Sequence, residues 1–288
     1  MYNYFGDKVR IKKWVKITIS IIIFITLITL YSRYIGIKGL KVKEYSIIDS
    51  SLPKEFYGLK IVQISDIHYK VTTNKNDLKK IVDEINKLKP DIVLLSGDLL
   101  DKNVKYTEKD FKDITNTLSK INVNIGSYAI KGEDDLEFEN WEQLINDSNF
   151  TNLNNKYEEI YYNGSTPILL IGISSNYIDN HIKKDLDNIN QNLNKEYKFS
   201  ILMLHEPSFI DNIDYNKFNL IFAGHTHKGQ IYIPLIGGII KDKYSKYNKD
   251  FYEFKNTKLY ISSGIGTSKY KFRLLNRPSI NFYRLRNK

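Results

Sequence analysis

Cysteine is absent from this 288-residue chain. Disulfides and thiolate metal sites are therefore excluded, and any metal must be held by histidine, carboxylate or amide groups. The absence leaves the compartment open. Histidine is scarce too, with five in the chain, so the placing of each one carries information. Also missing are an internal repeat, a long low-complexity linker and a nucleic-acid module with interleaved aromatic and basic residues. The formal charge of +10 would ordinarily suggest a phosphate-rich partner. Lysine, however, is spread along the chain among Ile, Asn and Tyr, which reads as compositional bias on a solvated surface, and no nucleic-acid partner is expected. With 42% hydrophobic residues there is ample material for a core.

One stretch lacks charge altogether. Residues 17–32 (ITISIIIFITLITLYS) follow Lys8, Arg10, Lys12, Lys13 and Lys16. Sixteen helical residues span about 24 Å, short of a hydrocarbon core of about 30 Å. Trp14 and Val15 before it, and Tyr34, Ile35 and Ile37 after it, lengthen the span if Lys16 and Arg33 snorkel. A cleaved signal peptide is the competing reading, but no small-x-small site follows the apolar run; Arg33 and Tyr34 stand there instead. The expected organisation is a basic tail (1–16), a single-pass transmembrane anchor (17–35), a connector of undefined structure (36–57) and one catalytic domain (58–288). Five basic residues precede the span against Arg33, Lys38, Lys41 and Lys43 after it, which favours the tail inside the cell membrane and an extracytoplasmic domain.

From Lys60 onward short apolar runs alternate with amphipathic stretches, the pattern of an α/β layered fold. Residues 60–65 (KIVQIS) and 91–96 (DIVLLS) read as buried strands. Between them Leu78, Ile81, Val82, Ile85 and Leu88 recur at helical spacing until Pro90. Thr107 with Asp110 forms a capping-box signature ahead of Phe111, Ile114, Leu118 and Ile121. Further strands are expected at 128–131, 168–173, 199–204, 220–223, 231–233, 258–262 and 281–285.

Polar residues that can bind metals fall just past the ends of these apolar strands, where ligand sites of α/β sheets gather. Asp66 and His68 follow the first strand and Asp98 follows the second, behind Gly97. Glu133, Asp134 and Asp135 follow the third, behind Gly132. His205 ends the 199–204 strand, and His225 and His227 follow the 220–223 strand, behind Gly224. Any one of these alone is an ordinary strand end, turn or core histidine. Together they supply the imidazole and oxygen donors that a pair of divalent ions requires. The fifth histidine, His181, lies in a polar helical stretch and is read as a surface residue.

The set Asp66-Ile67-His68, Gly97-Asp98, Gly132-Glu133-Asp134-Asp135, His205 and Gly224-His225-Thr226-His227 resembles the calcineurin-like metallophosphoesterase family, from about Leu59 to the end of the chain. The family pattern is Asp-x-His, Gly-Asp, Gly-Asn-His-Asp or Glu, His, and Gly-His-x-His. The flanks HTHKGQIYIP and GIGTSKYKFRLLNRP look like its membrane-associated bacterial branch, which includes lipid-directed pyrophosphatases. The resemblance implies a four-layer αββα sandwich with two divalent ions (Mn, Zn or Fe) between the sheets. One ion would be held by Asp66, His68 and His227, the other by Glu133, His205 and His225, with Asp98 bridging them. It also implies hydrolysis of a phosphodiester or pyrophosphate, with a lipid-linked substrate suggested by the anchor.

The third block departs from the family pattern. Glu133 replaces the family's Asn and adds a third anionic ligand, which weakens the Lewis acidity felt by water and phosphate. Asp134 replaces the family's His, which steadies the phosphoryl group or protonates the leaving group. Three outcomes follow: Asp134 is a protonated general acid with a raised pKa, the substrate brings its own good leaving group, or activity is largely lost and the chain is a metal-binding or interaction protein.

Overall fold

The computed structural model describes residues 12–176, 181–239 and 246–286; residues 1–11, most of the basic tail, lie outside them. The first element is α1 (Lys13–Leu30), extended by a π-helical turn over Tyr31–Ile35. No residue of α1 is buried against the rest of the chain. Its Thr18, Thr26 and Thr29 hydroxyls donate to the carbonyls of Trp14, Ile22 and Ile25, so the few polar side chains are satisfied within the helix.

Two six-stranded sheets follow. The first comprises β1 (Lys41–Ile48), β2 (Lys60–Ile64), β3 (Ile92–Ser96), β4 (Gly126–Ile130), β5 (Thr151–Asn152) and β14 (Ser279–Arg286), in the order β1-β14-β2-β3-β4-β5. The second comprises β6 (Lys156–Ile160), β7 (Ile168–Gly172), β8 (Ser200–Met203), β9 (Leu220–Ala223), β12 (Phe251–Glu253) and β13 (Lys258–Ile261), in the order β12-β13-β9-β8-β7-β6. A separate hairpin pairs β10 (Tyr232–Ile233) with β11 (Gly237–Gly238). The parallel neighbours β2, β3, β4 and β5 are joined through α2 (Lys75–Leu88), α3 (Glu108–Leu118) and α4 (Trp141–Asp147), and β7 reaches β8 through α5 (His181–Asn192).

Alternation along the strands sorts side chains into three cores, and with them four layers. Ile92 and Leu94 of β3 face Leu170, Ile201, Phe222 and Tyr283 between the sheets. Val93 and Leu95, one residue out of phase, face Ile81, Ile85, Ile114, Leu118 and Trp141 of the helices on the first sheet. Leu202, Ile221 and Ile261 likewise meet Ile182, Leu186 and Ile189 of α5 on the second. The αββα sandwich expected from the motifs is thus the fold. The Thr107–Asp110 capping box is formed, and α2 opens with a second one, Asn74 with Asp77.

Two expectations change. The connector 36–57 contains β1, which pairs in parallel with β14 from Lys41↔Ser279 to Ile48↔Arg286 and buries Ile47, Leu52 and Phe56. His181 is buried rather than on the surface. It is buried in the first turn of α5, its ring meets Phe209 edge-on, and its Nε2 lies 3.1 Å from the Ser174 carbonyl.

Candidate metal centre

The seven residues singled out as ligands all leave the carboxyl ends of β2, β3, β4, β8 and β9, and the loops that carry them interlock. Asp66 N–H donates to the Gly97 carbonyl at 2.9 Å, and Ile67 N–H to that of Asp98 at 2.7 Å. Asp66, His68, Asp98, His225 and His227 all have positive φ, between 43° and 65°. Non-glycine residues rarely hold this conformation, and where they cluster the surroundings must fix them for a purpose. Gly97, at φ +96°, is required on two counts: a Cβ there would stand 2.2 Å from His205 Nδ1.

Two groups that share no residue have ligand atoms within 4.8 Å of one another, Asp66, His68 and His227, and Glu133, His205 and His225, while Asp98 forms further such groups with Asp66 and His205 and with His68 and Asp134. In the first, His227 Nε2 lies 3.4 Å from Asp66 Oδ1 and 3.4 Å from His68 Nε2. In the second, Glu133 reaches His225 Nδ1 at 2.8 Å and His205 Nε2 at 3.0 Å. Asp98 stands between them, its Oδ2 3.6 Å from His68 Nε2 and 3.3 Å from His205 Nε2.

The donor set fits cations at these positions. His205 Nδ1–H donates to the Ser96 carbonyl at 2.7 Å, which leaves Nε2 as a bare lone pair in the neutral ring. That buried nitrogen has no hydrogen-bond partner, yet it faces oxygens of Glu133, Asp98 and, at 3.8 Å, Asp66. Acceptors facing acceptors in a dry site need positive charge among them. Without an ion, protons meet the same need. Burial, and then the Glu133 charge, push the Asp98 carboxyl up to about 7. Burial opposes protonation of His205, but Asp98 and Glu133 hold it well above the usual imidazole range. Burial, with His68 and Arg273 as neighbouring cations, takes His227 down to about 3 despite Asp66.

Asp134 lines the cleft beside the ligand groups and lies close to His68 and Asp98. Its Oδ1 is 2.8 Å from Lys102 Nζ and its Oδ2 is 3.5 Å from His68 Nδ1. Burial and Glu133 raise its pKa, while Lys102 and His68 pull the other way. Asp135 accepts the amide hydrogens of Leu100, Gly132 and Leu99 at 2.9, 3.0 and 3.3 Å, and thereby ties the β3 and β4 loops together.

Several supporting residues have no local signature in the sequence. Asp101 Oδ2 lies 3.3 Å from His68 Nδ1. Arg273, fully buried, lies with Nη2 3.3 Å from His227 Nδ1 and donates to the carbonyls of Ser263, Gly264 and Gly266. Asn276 Nδ2 holds the His227 carbonyl at 2.6 Å. The Gln230 amide fits best with its nitrogen toward the Tyr270 carbonyl at 2.7 Å, which turns its oxygen to His227 Nδ1 and leaves Nε2 free for a metal. A cleft of about 600 Å³ opens beside Glu133 and Asp134, rimmed by Lys70, Lys102, Lys269 and Lys271.

Comparison with known proteins gives the same assignment. The calcineurin-like phosphoesterase family matches residues 59–229. The uncharacterised metallophosphoesterase YkuE of Bacillus subtilis is 30% identical over 263 residues, 89% of each chain. A transmembrane protein with a metallophosphoesterase domain from Danio rerio is 24% identical over 91% of this chain, which spans 61% of that relative's length. Among solved structures, a dimetal phosphatase from Danio rerio covers 73% of this chain and 88% of its own at 11% identity, with a TM-score of 0.42. With its strand-end motifs brought to one rim and the family matched over more than half its length, the chain belongs to the calcineurin-like phosphoesterases.

Proposed function

We propose that this protein is a membrane-anchored phosphoester hydrolase with two divalent ions, acting on a phosphodiester or diphosphate presented at the membrane surface. The observation that carries the reading is the pair of three-residue groups with Asp98 between them, at distances that call for cations. Asp66, His68 and His227 would hold one ion, and Glu133, His205 and His225 the other, with Asp98 shared. When bound, such a pair supplies electrophilic activation of a phosphoryl group and of water.

The chain's own residues set the rest. The Ser96 carbonyl fixes the His205 tautomer, and the Asp101 carboxylate lies 3.3 Å from His68 Nδ1. The buried floor excludes bulk water, and the lysine rim favours a substrate with more than one anionic group. Asp134, held by Lys102, keeps a cation at the cleft in place of the family's histidine, which suits a substrate with a good leaving group. The anchor is supported by α1 with its π-helical extension: 23 residues, about 34 Å of helix, with no buried residue from Lys13 to Leu30.

A test is turnover of an activated aryl phosphodiester by the full chain in detergent, with Mn²⁺, Zn²⁺ or Fe²⁺. Metal-dependent hydrolysis is expected. Absence of turnover with every metal, while ions still bind, would favour the second reading, a metal-binding or interaction protein. The Lys102–Asp134 ion pair, standing where the family has a histidine, is the observation behind that alternative.

A further inference from the structure

The loop that supports His227 also leads to an apolar surface that is exposed among the described residues. The β10–β11 hairpin ends in Leu235 and Ile236, with relative exposures of 106% and 71%. Ile239 after it, and Leu275 and Tyr270 of the neighbouring loop, are exposed as well. Leu235 and Leu275 both hold left-handed backbone, at φ +72° and +54°. Glycine or asparagine is the usual occupant of such positions, so leucine there is disfavoured twice, by backbone and by water.

This surface is tied to the end of the apolar helix. Tyr232 N–H donates to the Leu274 carbonyl at 2.9 Å, and Leu274 N–H to that of Gln230 at 3.2 Å. One residue earlier, Arg273 N–H donates to the Ser32 carbonyl at 3.0 Å. Gly36 lies so close that a Cβ would stand 1.8 Å from the Arg273 carbonyl oxygen. The hairpin, the 270s loop and the exit turn of α1 are therefore one unit. Residues 31–43, 225–239 and 262–286 contain no Asp or Glu; Lys38 and Lys228 within them are paired with Asp77 and Asp250, and Arg33, Lys269, Lys271 and Arg277 add further positive charge.

We propose that this face lies in the headgroup region of an anionic phospholipid membrane, with Leu235, Ile236 and Leu275 inserted beside the end of α1. Apolar tips ringed by cations match that interface, and the covalent tether keeps them at it. Because Lys269 and Lys271 also rim the cleft at Glu133 and Asp134, the same docking turns the mouth of the site toward phosphates at the membrane surface. The inference rests on the reading of α1 as a membrane span.

The absence of cysteine makes a direct test available. Ile236→Cys, Ile23→Cys and Tyr161→Cys are made separately in the full chain, labelled with an environment-sensitive fluorophore and reconstituted into phosphatidylethanolamine–phosphatidylglycerol vesicles containing shallow or deep nitroxide lipids. Strong shallow quenching at Ile236→Cys, deep quenching at Ile23→Cys and none at Tyr161→Cys are expected. Quenching at Ile23→Cys without quenching at Ile236→Cys would overturn this inference and leave the anchor standing. No quenching at either would remove the anchor, and the inference with it. A blue-shifted, unquenched Ile236→Cys would mean that protein covers the hairpin, and would also overturn it. Leu235→Asp/Ile236→Asp serves as a functional check: turnover of a vesicle-borne substrate should fall at least five-fold while that of a soluble diester is unchanged. An equal effect on both substrates would count against the inference.

Discussion

Asp98 Oδ2 lies 3.3 Å from His205 Nε2, a buried nitrogen whose ring is locked in orientation by the Ser96 carbonyl at 2.7 Å. With the imidazole neutral, the contact places a carboxylate oxygen against a lone pair; a bound cation resolves it, and in its absence a proton does. Asp98→Asn keeps the shape and removes the charge. Turnover should fall at least 100-fold, about 2.7 kcal/mol in barrier, with loss of metal. Stability of the metal-free protein should change little, since burial and Glu133 disfavour the Asp98 charge while His205 and His68 favour it. Parallel metal analysis, kinetics and urea unfolding of the apo form check this.

Arg273 ties together the loop packed against His227. Arg273→Met leaves the carbonyls of Ser263, Gly264 and Gly266 without their donor, and should destabilise the apo protein by about 3 kcal/mol. Its effect on metal affinity should be a further loss of roughly 10–100-fold, typical of residues that orient a ligand. Urea unfolding and competition with a chromophoric chelator measure the two effects separately.

The lysine rim should select for charge. Lys102→Met is expected to lower kcat/KM for a diphosphate by roughly ten-fold, about 1.4 kcal/mol, with less effect on a monoanionic diester and no change in metal content. Wild type should show the steeper loss of activity with salt.

Asp250 joins Lys43 of β1 at 2.7 Å to Lys228, beside His227, through a second carboxylate contact. Burial opposes the Asp250 charge, but Lys43 and Lys228 win and hold its carboxyl below the usual range. Lys43 is itself lowered, because burial outweighs the pull of Asp250. The intact pair is therefore worth little net, while removal of the anion leaves two half-buried cations together. A carboxyl depressed on folding stabilises the fold above its unfolded pKa, and that contribution is lost as pH falls through the folded value. Asp250→Asn should cost about 1–3 kcal/mol at pH 7, and the difference from wild type should shrink as pH falls below the usual carboxylate range and through the depressed Asp250 value. Denaturant unfolding across that range provides the comparison.

Much of the fold and the site can be read locally. The strands of both sheets are short apolar runs, and Asp66, His68, Asp98, Glu133, His205, His225 and His227 stand where those runs end, so the structure had only to bring them together. β1 could not be read that way: KVKEYSII is half exposed along a sheet edge and pairs with β14, more than two hundred residues away in sequence. Arg273, Asp101 and Asn276 become supports only through tertiary convergence, and no spacing marks them. His181 was misread because its helix looks polar in composition while one face of it is apolar. The role of Asp134 is where sequence helped least, since only the structure shows its carboxylate paired with Lys102 and turned to His68.

The central claim is a shared two-ion centre, and the most direct measurement is metal stoichiometry. The full chain, saturated with Mn²⁺ or Zn²⁺ and freed of excess, is analysed by mass spectrometry of the metal beside His225→Ala and Asp98→Asn. Two ions per chain are expected for the wild type, about one for His225→Ala, and weakened binding of both for Asp98→Asn. A stoichiometry of one or none in the wild type, or two in all three proteins, would contradict the account.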